Sequence, residues 1–289
     1  MDIDLKYIRR RKAVQTGMWG VFKSATLVNA AALGVICGFL LYHGLPAISW
    51  EFLTQPPRDS MTAGGIMPCI LGTVLLATGA LLTAFPLGVC AAIYLNEYAK
   101  RGWLLRLIRL GIANLAGVPS VVFGLFGLAF FVTFLGFGVS ILSGVLTLAI
   151  VILPVIIGTA EEALKSVPNT YREASLGLGA TKWQTIRRVV LPTALPGMLT
   201  GAILGVSRAA GETAAIMFTA AVFFAPKLPM SVFSDVMALP YHIYVLATAG
   251  TDIEKTRPLQ YGTALVLIAL VLGMNLIAIV YRARLQKKR

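Results

Sequence analysis

The chain has 289 residues, 57% of them hydrophobic and only 13% charged, with a mean hydropathy of +0.81 and a formal net charge of +13. Soluble domains carry about 25% charged residues, and disordered chains pair low hydrophobicity with high charge, so both classes are excluded. The +13 charge is not a nucleic-acid footprint, because the basic residues lie between long apolar runs and form no compact basic domain.

Windows free of Asp, Glu, Lys and Arg cover 24–50, 60–96, 110–160 and 258–281; a fifth, 189–226, is interrupted only by Arg208 and Glu212. A bilayer core takes about 20 apolar residues in a helix. The run Arg9-Arg10-Arg11-Lys12 precedes a first helix over 22–43, whose apolar stretch is too long for a cleaved signal. A second helix spans 66–95, with Pro86 and Gly88 placed to kink it. The window 110–160 holds 51 residues, enough for helices 108–133 and 139–160 joined at Gly136-Phe137-Gly138. Helices 195–224 and 259–282 complete six spans. The segment 236–251 is short and contains Pro240, so it reads as an interfacial or partly buried helix and not a seventh span. The expected fold is all-α and integral to the membrane, with six transmembrane helices.

Orientation follows from Lys and Arg. Twenty of the 25 fall on the side of the N-terminus, Lys100–Arg109, Lys165–Arg188 and the tail from Arg282. Four (Arg58, Lys227, Lys255 and Arg257) fall on the other, and Arg208 remains within a span. Both termini are therefore expected in the cytosol, in a bacterial cytoplasmic membrane. The cysteines Cys37, Cys69 and Cys90 are scattered and share no metal-ligand spacing.

The cytoplasmic connection 161–194 carries the most information. Its sequence predicts a short helix from Asn169, a break at Gly179, and a second helix capped by Thr181, with Pro192 at the entry to the fifth span. Such a helix–turn–helix facing the cytosol is either a docking element or a plain surface connection. Within it, Glu173-Ala174-Ser175 is followed by three residues, Gly179, nine residues, and then Val189-Val190-Leu191-Pro192. This spacing resembles the cytoplasmic "EAA" loop of ABC importer permeases, with Ser175 and Val189 as mild departures. Three further stretches are similar to the phosphate importer permeases of that class: Pro86-Leu87-Gly88 with Ile93–Ala99, Gly117–Gly127, and Ser207–Ala214.

The resemblance implies a type I ABC importer permease fold over 64–282. It leaves 1–63 for an N-terminal arm, first helix and outside loop, and 283–289 for a basic tail. It implies that Glu173, Ala174, Gly179, Leu191 and Pro192 belong to the ATPase-coupling loop. The implied partners are a second permease subunit (PstC-like), two ATPase subunits (PstB-like) and an extracytoplasmic phosphate-binding protein (PstS-like), with phosphate as cargo. No Gly-Lys dipeptide occurs, so a phosphate-binding loop for ATP is absent. No cofactor is expected on this chain; ATP and Mg are expected on the ATPase, and the chain itself is not expected to be an enzyme.

Arg208 and Glu212 lie four apart, which puts them on one helix face. A charge at mid-membrane is costly unless paired or wet, so it marks a functional site by default. Arginine offers a planar donor fork suited to phosphate oxygens. The pair is either part of a substrate pathway or a structural ion pair between helices. Gly197, Gly201 and Gly205 repeat every four residues and predict close packing, against a neighbouring subunit. His43 and His242 are isolated, and the phenylalanines at 123, 126, 130 and 131 read as packing or lipid contact. No catalytic or metal constellation is found. Three functions compete with a phosphate permease: an integral-membrane enzyme, against which the lack of a metal or nucleophile cluster counts, the permease of another oxyanion importer, and a self-contained secondary transporter or channel. The last would leave the cytoplasmic loop unexplained.

Overall fold

The computed structural model of the chain describes residues 5–100, 102–225, 228–249 and 253–287. Arg101, Lys227, Lys288 and Arg289, counted above for orientation, lie outside the described residues. The elements are α1 (Leu5–Gly44), α2 (Trp50–Thr54), β1 (Pro57–Arg58), β2 (Ala63–Gly64), α3 (Met67–Ile93), α4 (Trp103–Ala116), α5 (Ser120–Gly127), α6 (Ile141–Lys165), α7 (Asn169–Gly177), α8 (Lys182–Thr185), α9 (Leu191–Gly211), α10 (Leu239–Thr248) and α11 (Ile253–Lys287). Among the described residues, five helices are long and apolar enough to cross a membrane, and the bent pair of α4 and α5 makes a sixth if it is counted as one span.

The centre is a triad of α3, α6 and α9. α6 is apolar on nearly every side, and Leu148, Ile152, Ile156 and Leu164 are fully buried. It occupies the middle because only a helix hydrophobic all round loses nothing by burial on all faces. α11 packs on α9 and α10, and α1 lies against α11. The most apolar stretch of α1 is entirely unburied. Near its outer end, the rings of Phe39 and His43 lie 5.4 Å and 5.7 Å from Tyr261 of α11.

Three sequence expectations are corrected. The third span is not one helix over 108–133: α4 and α5 meet at 99°. Gly117 ends α4, and Pro119, with ψ at 139°, caps α5 in an extended conformation. Proline bars the helical conformation from the residue before it and removes an N–H, which enforces the break. The fifth span does not run over 195–224. A continuous helix begins at Lys182 and stops at Gly211, with Glu212 turning out at ψ 126°. Pro192 is the second residue of α9, at its entry as expected, and a π-helical turn (Ile186–Val190) joins α9 to α8 just before it. Finally, Gly197, Gly201 and Gly205 face α6 of the same chain, against Ala163, Thr159 and Ile156, so this small-residue face serves an internal contact.

Beyond Glu212 the chain forms an outside excursion that returns to α10. Ala221 and Val236 form a single parallel bridge within it, with Val222 N–H donating to Val236 O (3.1 Å) and Val236 N–H to Ala220 O (3.2 Å). The excursion hooks over the start of α6, whose Ser140, Ile141 and Leu142 N–H groups donate to the carbonyls of Thr219, Ser234 and Val232. These are donors that a helix N-terminus cannot satisfy itself, and in apolar surroundings each must find a partner. Likewise Leu239 N–H, at the start of α10, donates to buried Thr73 Oγ1 of α3 at 2.8 Å.

Candidate functional site

The cytoplasmic connection has the expected form. α7 begins at Asn169, Gly179 adopts φ +82°, and Thr181 caps α8 through a reciprocal box with Gln184. A positive φ is free for glycine and strained for residues with a Cβ. Ser175 Oγ and Thr185 Oγ1 hydrogen-bond at 2.9 Å, tying α7 to the start of the following helix. The outer surface of this unit is apolar: Tyr171, Leu176, Leu178 and Trp183 are all exposed, Leu178 by 90%. Glu173, Ala174 and Gly179 lie exposed on it, whereas Leu191 and Pro192 lie half-buried at the base of α9.

The unit is anchored by an ion pair that the sequence alone did not single out. Arg172 Nη2 lies 2.8 Å from Glu97 Oε1, at the inner end of α3. The same guanidinium donates to the carbonyls of Leu164 and Val167, where α6 ends, at 2.9 and 2.7 Å. A second node joins α4 to α6, with Arg109 Nη2 at 2.5 Å and Lys165 Nζ at 2.9 Å from Glu161 Oε1. The clue was available in the composition: only 12 acidic residues face 25 basic ones, and Glu97 and Glu161 each close a charge-free window. Their partners were not legible, because 75 residues separate Glu97 from Arg172.

Arg208 and Glu212 lie at the other end of α9, both half-buried. Two hydrogen bonds fix α9 against antiparallel α11: Arg282 Nη1 to Thr200 Oγ1 and Ser207 Oγ to Asn275 Oδ1, each 2.9 Å. Arg208 thus stands at the level of Asn275, within the apolar span of α11. Among the described residues no ion pair joins Arg208 to Glu212, since Glu212 marks the point where the helix ends. His242 is 4% exposed in α10, and burial lowers its pKa to about 4. It belongs to no cluster of ligands or bases among the described residues.

A bundle of membrane-crossing helices carrying a rigid cytoplasmic helix–turn–helix and a half-buried arginine in a span defines a multi-pass membrane transport component. The chain belongs to the family of binding-protein-dependent transport system inner membrane components, whose model matches residues 84–289. It is 33% identical over 274 residues to a probable ABC transporter permease, YqgI, of Bacillus subtilis, covering 91% of this chain and 92% of that protein. It is 38% identical over 242 residues to the phosphate transport system permease protein PstA 1 of Mycobacterium tuberculosis, covering 83% and 78%. In fold it is similar to a chain of the inward-facing MetNI methionine ABC transporter, with a TM-score of 0.63 at 18% identity, covering 76% of this chain and 95% of that one.

Proposed function

We propose that this chain is the transmembrane permease subunit of an ATP-driven importer that carries inorganic phosphate across the cytoplasmic membrane. One observation carries the reading. Relatives named as phosphate transport system permeases are 38% and 30% identical over most of the chain, in Mycobacterium tuberculosis and Xylella fastidiosa. Family membership implies work alongside a substrate-binding protein and an ATPase.

The finer assignments are these. The ATPase docks on the exposed face of α7 and α8, where Tyr171, Leu176, Leu178 and Trp183 would be covered. Apolar side chains at the centre of a contact supply most of its energy. Glu173, Ala174 and Gly179 shape that face, and Leu191 and Pro192 join it to the fifth span. ATP and Mg are held by the ATPase, and a second permease subunit completes the passage. Arg208 contacts the anion transiently: its fork matches phosphate oxygens, and a conducting site must release what it binds. Glu212 lowers the affinity there by repelling the anion, which favours release.

Uptake of labelled phosphate by cells lacking this chain, with sulfate as control, tests the proposal. The expected result is loss of phosphate uptake alone. Loss of sulfate uptake with phosphate uptake intact would reject phosphate as the cargo.

A further inference from the structure

We propose that Glu97 is the residue through which the cytoplasmic loop drives the second span, so that α7, α8 and the inner end of α3 move as one body. The inference rests on the reading of that loop as the ATPase contact.

Both helices of the loop grip this one residue. From α7, Arg172 donates to Glu97 Oε1 twice, through Nη2 at 2.8 Å and Nε at 3.3 Å. From α8, Lys182 Nζ donates to the backbone carbonyl of Glu97 and stands 4.9 Å from the centre of the Tyr98 ring. Asn96 Nδ2 adds a donor to the same carboxylate oxygen at 2.9 Å. The side chains are mostly withdrawn from solvent, Glu97 with 8% exposed and Arg172 with 16%. A buried ion pair adds little net stability over apolar packing, but it is directional, and removing one partner strands the other. The side chain and the main chain of Glu97 are thus taken separately by the two arms of a unit already closed by the Ser175–Thr185 hydrogen bond.

The far side of the contact is built to pass displacement on. Tyr94–Tyr98 forms a π-helical turn at the end of α3, closed by Ala99 N–H donating to Tyr94 O at 2.8 Å. α3 itself packs along α6 and α9 in the centre of the bundle. A pull on Glu97 therefore acts on the end of a central helix. The Arg109–Glu161 node connects α4 to α6 and involves neither α7 nor α8. Glu97 is a positioning residue: it touches no substrate.

The test uses the whole complex, reconstituted in liposomes with its binding protein, and reads phosphate taken up per ATP hydrolysed. Glu97→Gln keeps the shape and removes the charge. It is expected to retain the ATPase subunits at the parental ratio and to hydrolyse ATP, while phosphate per ATP falls at least fivefold. A second variant, Glu97→Cys with Arg172→Cys in a chain otherwise free of cysteine, reports independently of how well Glu97→Gln folds. Unbridged, it should match the Gln variant; bridged by a bis-maleimide, it should recover at least half of the parental ratio. An unchanged ratio in Glu97→Gln, its loss of the ATPase subunits, or uptake abolished by the bridge would each overturn the inference. A parental complex without ATP-dependent phosphate uptake overturns the proposed function and this inference with it. Parental uptake with an unimpaired Glu97→Gln overturns the inference alone.

Discussion

Gly201 of α9 faces Thr159 of α6 so closely that a Cβ on the glycine would overlap the threonine hydroxyl. That hydroxyl is already committed, donating to Val155 O at 2.8 Å within its own helix. A Cβ there requires the threonine side chain or one of the helices to shift. Gly201→Ala is expected to destabilise the subunit by about 1–3 kcal/mol, the usual cost of overpacking. Thermal unfolding in detergent would show it as a lowered midpoint. Gly158→Ala, on α6 with open space around it, should unfold at the parental midpoint or above it, because alanine is the better helix former.

Gly179 poses the opposite case. Nothing lies within 4 Å of where its Cβ would be, yet its φ is +82°. Gly179→Val is therefore unfavourable through backbone strain alone, of order 1–3 kcal/mol. We expect normal insertion and expression, with phosphate uptake reduced at least tenfold. Normal uptake at normal expression would reduce the loop to a connection.

Arg208→Gln is expected to abolish phosphate uptake while the complex still assembles and hydrolyses ATP. Arg208→Lys keeps the charge and loses the fork, so a partial defect is expected. Because no ion pair links Arg208 to Glu212, the double change to glutamine at both positions should not restore uptake. Full recovery in the double variant would remove Arg208 from the pathway.

The sidedness of the bundle hinges on the bent α4–α5 pair. If it counts as one crossing, the spans number six and both termini share the cytosolic side, in accord with the 20-to-4 division of Lys and Arg. Single cysteines at positions 54 and 230 should then react with an impermeant reagent in intact cells. Those at 104 and 180 should react only after permeabilisation. External labelling at 180 would contradict the docking of any cytosolic partner there.

His242 predicts a pH dependence. Its ordinary pKa of 6.5 falls to about 4 because burial disfavours the charged ring. Between those values the unfolded chain binds a proton that the folded one does not, so stability rises with pH across that window and is lost on acidification. From pH 7 to pH 5 the loss is about 2 kcal/mol. Thermal unfolding of the solubilised protein should show the midpoint falling over this range, and His242→Leu should flatten that response.

The sequence by itself determined the membrane class, the apolar windows, the turn at Gly136–Gly138 and the helix–turn–helix at Asn169–Thr185. Each of these is local: hydropathy over about 20 residues, or a glycine or a cap at a fixed offset. The structure decided what depends on contacts distant in the chain. The window 110–160 read as two plain helices, and only the structure revealed the 99° bend between α4 and α5 at Gly117–Pro119. The charge-free stretch after Arg208 read as a continued helix. It leaves the helix at Glu212 because Thr219, Val232 and Ser234 carry the carbonyls that the start of α6 requires. The glycine repeat announced a close contact without naming its partner, and α6 of the same chain proved to fill it. Glu97 was visible as the charge that closes an apolar window, and Arg172 as one of several charges in the cytoplasmic connection. Only the folding of α7 back beneath α3 placed a carboxylate and a guanidinium 2.8 Å apart and withdrawn from solvent, where removing one partner strands the other.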